Sequence, residues 1–179
     1  MSLSEARGNV SKEVIDTLIS AAKNVIGDNG VSGVLRFVAQ KKSNDWTGVD
    51  VVFALADEIQ NLFGAKGGYA VIRQIGREVA KSLMASRPKE EWEYLLEWSL
   101  NTLGFAERVE KGQGYAEICN CVFYEDVLKQ RNLKPIEHAV CWAGWGFIEA
   151  FVKELYGAKG IKWIDRDYEE KKCKFEFLY

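Results

Sequence analysis

The sequence predicts an α+β fold: helices packed on an antiparallel sheet made of two β-hairpins separated by a long helix. Three observations predict it. Apolar residues recur at helical spacing through the first two-thirds of the chain, and the spacing shifts towards alternation after Gly104. Two pairs of strand-like segments then flank one long apolar helical run, an order that belongs to helices layered on a sheet. At 179 residues, 47% hydrophobic and 12% aromatic, the chain has the size and composition of one domain. A chain of this length buries about 70% of its unfolded surface. No repeat, linker or low-complexity tract divides it. The expectation is one domain over 1–179, with a helical region at 1–66 and an α+β core at 67–179.

Ser11 is a plausible N-cap, and Val14, Leu18, Ala21 and Val25 follow at helical spacing until Gly27 stops the run. Val31 to Gln40 forms a shorter apolar segment. Val52, Leu55, Ile59 and Leu62 make the next stripe, closed by Gly64 and the Gly67-Gly68 pair. Ile72, Ile75, Val79 and Leu83 define another helix, with Arg73, Arg77 and Lys81 opposite as a solvated face. Pro88 opens a helix to Leu103, whose narrow polar stripe is Glu93, Glu97 and Asn101. So little polar surface means burial on several sides. Phe105–Glu110 and Tyr115–Tyr124 flank the Lys111–Gly114 turn as a hairpin. Pro135 starts the long helix, ending near Tyr156. Ile161–Asp165 and Cys173–Leu178 form the second hairpin, with Arg166–Lys172 as its charged, exposed tip. In the last strand Cys173, Phe175 and Phe177 alternate with Lys174, Glu176 and Leu178, giving one dry face and one wet one.

Composition narrows the function. The net charge of -2 leaves no electrostatic footprint for nucleic acid. No apolar run approaches the roughly 20 residues of a membrane span. The polar start, Met1 to Lys12, has no leader character, so a cytoplasmic location is expected. With one histidine, His138, chemistry built on several imidazoles is excluded. Neither a G-x-S-x-G elbow nor a dinucleotide or phosphate-loop glycine pattern is present.

Two constellations remain. His138 and Cys141 are three apart on the expected helix and share a face. Cys119 and Cys121 are two apart on a strand, and Cys173 opens the last one. Thiolate and imidazole are zinc's preferred ligands, so Cys121, His138, Cys141 and Cys173 are candidate metal ligands. Small buried cysteines also serve simply as packing residues, and both readings stay open. The second constellation is aromatic, Trp142-Ala143-Gly144-Trp145-Gly146-Phe147. Two glycines in a helix cost on the order of 1 kcal/mol each against Ala, which fits close approach of another backbone or a ligand. An apolar pocket is therefore expected between this helix, the first hairpin and the Trp92–Leu103 helix, with Trp92, Trp98 and Trp145 in its walls.

The residues from about Gly67 to Phe177 resemble the 4-vinyl reductase, or hydrocarbon-binding, domain family. Asn120-Cys121-Val122-Phe123 resembles its N-C-P-F segment, with Val in place of Pro. His138 to Trp142, followed by Gly144 and Gly146, resembles its Cys-aromatic helix start. Cys173-Lys174-Phe175 resembles its closing C-x-F strand. Gly68-Tyr69 and Gly76-Arg77 resemble its upstream glycine/arginine pattern. The family includes phenol-sensing domains of transcription regulators and is related to transport-complex subunits that hold an acyl chain. The resemblance implies a fold that is often dimeric, with a buried apolar pocket beside a zinc ion held by cysteines and a glutamate. Cys141 and Cys173 match two of those cysteines. Asp165 stands where a third is usual and Lys162 where the glutamate is, so Asp165, His138 or Cys121 would complete the set, with zinc favouring the last two over the carboxylate. Ile118 and Trp145 match pocket positions.

The expected function is non-catalytic binding of a small apolar or aromatic molecule (a hydrocarbon, lipid or tetrapyrrole fragment) by a sensor or carrier. The expected partners are a second copy of the chain and a protein that reads the bound state. Two alternatives differ in class: an assembly subunit with a permanently filled pocket, and an accessory to a vinyl reductase. Reduction needs a hydride or electron source, and the chain has neither a dinucleotide fingerprint nor an iron–sulfur cysteine cluster.

Overall fold

Helices come first in the chain because its apolar stripes carry good N-terminal caps. The computed structural model describes residues 10–179; the polar start, on which the expectation of no leader rests, lies mostly outside them. Helix α1 spans Lys12–Lys41, and its N-cap Ser11 accepts a hydrogen bond from the Val14 N–H at 3.3 Å. Helix α2 spans Gly48–Ala85 and opens with a capping box, Thr47 and Asp50 each bonding the other's backbone. Both helices break and restart once. The breaks are at Gly27 (φ 78°, ψ 168°) and Gly64 (φ 77°, ψ 169°). The expected stops are therefore kinks, and Gly67-Gly68 lies inside a continuing helix. The expected division between residues 66 and 67 also falls within α2.

Helix α3, Trp92–Thr102, follows a short 3₁₀ turn after Pro88. Asn101, placed by the sequence on a polar stripe, is fully buried. Its Nδ2 donates to the carbonyls of Ala106 (3.2 Å) and Glu107 (3.1 Å), turning the chain from helix into sheet. Strands β1 (Arg108–Gly112) and β2 (Tyr115–Cys119) form the first hairpin, and β3 (Gly160–Asp167) and β4 (Lys172–Leu178) the second. The sheet order is β1-β2-β4-β3, antiparallel throughout, so the hairpins join through β2 and β4. Cys173, Phe175 and Phe177 are buried while Glu176 and Leu178 are exposed, as the alternation predicts.

Helix α4 spans Ala139–Tyr156. It starts four residues later than Pro135, because His138 rather than proline caps it. Ile148 and Val152 are buried. The tightest crossing is between α2 and α4. A β-carbon at Gly146 would fall on the Arg73 carbonyl, and one at Gly76 on the Ala143 carbonyl. The glycine cost in helix α4 is thus offset by backbone approach. Helix α4 is the central layer, with α2 on one side and the sheet on the other.

Candidate functional site

The start of α4 organises the site. His138 is 2% exposed, its Nδ1 accepts from the Val140 N–H at 3.1 Å, and its Nε2 lies 3.0 Å from Asp57 Oδ1. With Nδ1 accepting, the ring proton sits on Nε2 and is donated to Asp57. The ring also stacks on Phe53, centroids 4.5 Å apart. Burial pushes the His138 pKa down, and the Asp57 carboxylate opposes that shift. Gln60 Oε1 accepts from the Ala139 N–H (2.8 Å), and the Tyr69 hydroxyl donates to the Glu137 carbonyl (2.7 Å). Side chains of α2 thus clasp the N-terminus of α4.

The sequence places His138 and Cys141 on one face of a helix. As the N-cap, His138 instead turns to α2, and both of its nitrogens are engaged. Cys119 and Cys121 also part company: β2 ends at Cys119, and Asn120 takes a left-handed turn (φ 60°). What does come together is Cys121, Cys141 and Cys173. These three thiols line a cavity of about 30 Å³ between the sheet and α4, with Ile118, Phe175 and Trp163. Burial pushes the Cys121 thiol up to about 11 and also raises that of Cys141. Among the described residues, no group of three or more His, Cys, Asp or Glu side chains is arranged to hold a metal ion. The four-ligand zinc set expected from the sequence is therefore not assembled.

Sequence reasoning missed Arg166, which it assigns to an exposed tip. The side chain is fully buried beside the thiol cavity, its Nη1 3.2 Å from Cys173 Sγ and its Nη2 2.6 Å from Glu125 Oε1. Its guanidinium lies 4.2 Å from the centre of the Tyr124 ring. Alternation does not reveal it: a register shift between Trp163 and Asp165 turns Arg166, rather than Asp165, to the buried side of β3. Arg73 and Arg77 do not form the solvated stripe that the sequence predicts. Both instead pair with Glu149 of α4, which is 2% exposed.

Of the expected pocket residues, Ile118 lines the thiol cavity. Trp145 stands one ring behind its wall, edge-on to Phe175 (5.9 Å) and stacked on Trp142 (4.4 Å), which stacks on Tyr69 (5.2 Å). Trp92 and Trp98 are elsewhere. The Trp92 indole N–H is shared between the Met84 and Arg87 carbonyls, locking α3 to the end of α2. Trp98 is 38% exposed, beside a shallow groove with Val14 and Leu83. Two indole nitrogens, Trp145 Nε1 and Trp163 Nε1, are buried without a protein partner.

A second cavity, of about 50 Å³, lies between α1, α2 and α4 and is lined only by Ala, Val, Leu and Ile. No helix among the described residues is long and apolar enough to cross a membrane.

No protein-family model matches the chain, and no curated protein matches it. Among solved structures, a single-residue variant of Tt H-NOX is similar, with a TM-score of 0.53 and 15% identity over 93% of this chain and 94% of that one. An oxygen-binding H-NOX domain related to soluble guanylate cyclases, in its oxygen complex, gives 0.52 and 14% over the same shares. At this identity the likeness is one of fold. It bears out the α+β fold; the 4-vinyl reductase family finds no support in it.

Proposed function

We propose that this chain binds a small apolar molecule in the cavity between the sheet and α4, as a non-catalytic sensor or carrier. The observation that carries the reading is the make-up of the cavity wall. It is apolar apart from three thiols and the Tyr124 phenol, and it includes Trp163, whose buried Nε1 lacks a protein partner. Apolar walls with a few placed polar groups are the usual character of a small-molecule site. A buried donor without an acceptor calls for an explanation, and a ligand oxygen supplies one. The fold likeness to H-NOX domains, one of them oxygen-binding, agrees with small-molecule binding.

A haem, the group this fold would hold for oxygen, does not fit the residues present. Haem iron takes an axial imidazole, thiolate, thioether or phenolate beside a slot for the macrocycle. The single imidazole is spent on Asp57 and Val140, and the thiols border a cavity of about 30 Å³. The ligand in this reading is therefore smaller than a haem. The binding unit is the whole chain, because α2 crosses the division between its helical and mixed regions.

Native mass spectrometry of the full chain is the direct test. The expected result is a bound apolar species, lost in Ile118→Trp, which fills the cavity from β2. A ligand at a hundred times its Kd stabilises the fold by about 2.7 kcal/mol. A bare mass, with no thermal shift from a ligand of two or three heavy atoms such as ethanol, would overturn the reading.

A further inference from the structure

We propose that residues 28–63 form a hinged lid over a second ligand cavity, which takes a small aliphatic hydrocarbon without hydrogen-bonding groups. The cavity is the one between α1, α2 and α4, and it does not depend on the thiol-lined site.

The first support is position. The cavity lies on the seam between the helical hairpin 28–63 and the remainder of the chain. Val34, Val52 and Ile59 face it from the hairpin; Ile19, Ile75 and Val140 face it from the other side. Moving the hairpin as a body would open the cavity along its length.

The hinges are the second support. Gly27 and Gly64 bound the hairpin at its two ends, and each interrupts a helix in nearly the same conformation. Positive φ with ψ near 170° is a region essentially restricted to glycine. Nothing lies within 4 Å of a β-carbon placed at either residue. Neither glycine is therefore needed for packing, and the backbone conformation alone demands it. Between the hinges, Lys41 pairs with Glu58, tying the two limbs of the hairpin to each other.

The third support is the fastening. The hairpin meets α4 through polar and aromatic contacts at the cavity's end: Asp57 to His138, Gln60 to the Ala139 N–H, and Phe53 against the His138 ring. Val140, whose N–H bonds to His138, is itself a wall residue. Such contacts break and re-form more readily than an interdigitated core, so they suit a latch.

The ligand class follows from the wall and the volume. No side chain in the lining carries a polar group, so a ligand with a hydroxyl or carboxyl would be buried unpaired. The cavity, about 50 Å³, is well below the roughly 150 Å³ that accepts benzene in a cavity of the same chemistry. That leaves room for a few carbons while the lid is shut.

Methyl-labelled full chain titrated with propane tests the site. Methyl resonances of both walls, Val34 and Ile75 among them, should shift. The shifts should disappear in Ala22→Leu and in Ala56→Leu, which fill the cavity from opposite sides. Absent shifts, or shifts that survive in both filled variants, would overturn the cavity proposal. Amide exchange tests the lid. Asp57→Asn, and separately Gly27→Ala with Gly64→Ala, should speed exchange across 28–63 by about tenfold or more as one block while β2 and β4 keep their protection. Unchanged exchange in 28–63, or acceleration shared equally with the sheet, would overturn the lid. Asp57→Asn leaves both hinges intact, so the lid stays testable if the glycine variants fold poorly.

Discussion

At the scale of single residues, two buried ionisable groups decide how the layers hold together. Glu149 lies on α4 between Arg73 and Arg77 of α2, almost fully buried. Removing one partner of a buried charge cluster leaves the others uncompensated, which costs more than the pair itself contributes. Glu149→Gln should therefore lower stability by about 3 kcal/mol, read as a shifted urea midpoint. Arg77→Gln should cost less, since Arg73 still serves Glu149. His138 sets a pH limit. Its folded pKa lies below the ordinary value near 6.5, so below that pH the unfolded chain binds the extra proton. This contribution is intact above about pH 6.5 and is lost as the pH falls towards the folded pKa. Asp57 opposes the shift through its hydrogen bond, and Arg131 adds to it. Asp57→Asn removes the opposing carboxylate, so the acid-side loss should become larger. In His138→Gln the slope of stability against pH between 7 and 5 should flatten. An unchanged slope in that variant would assign the pH dependence to other groups.

Between elements, contacts too close for a β-carbon do the fastening. Gly76 and Gly146 let α2 and α4 approach backbone to backbone. Gly146→Ala inserts a methyl onto the Arg73 carbonyl, and the expected cost is about 1–3 kcal/mol, with α2 displaced. An equilibrium unfolding curve checks it, and an unchanged midpoint would mean that the helices part at little cost. Trp92 is a clamp between α2 and α3, and Trp92→Phe keeps the ring area while deleting the N–H. Two carbonyls lose that donor, so a drop of about 1 kcal/mol is expected. The helices themselves are legible in the sequence. Ser11 and Pro88 mark starts, and the stripes through Val52–Ile59 and Ile72–Val79 are buried as their spacing requires. The start of α4 is not. Proline suits a first turn, but a histidine whose Nδ1 takes a backbone N–H caps better, and that competition is settled by Asp57 and Phe53 from 81 or more residues away.

Over the whole molecule, among the described residues, the chain is a stack of sheet, central helix and outer helices, and both faces of the central helix border a cavity. His138 is engaged with Asp57, and among the described residues no group of three or more His, Cys, Asp or Glu side chains is arranged to hold a metal ion. A strong zinc chelator should thus leave the melting temperature unchanged. A large fall on chelation, restored by zinc, would mean that the thiols are metal ligands after all.

Local pattern alone determined the class of the fold, the two hairpins and the dry face of the last strand. Periodicity and capping act within a few residues, so sequence carries them directly. Tertiary structure decided where His138 points, which of the tryptophans border a cavity, that Arg166 is buried, and that Arg73 and Arg77 serve Glu149. Each of these depends on a partner many residues distant, and burial next to that partner, rather than residue type, sets the role.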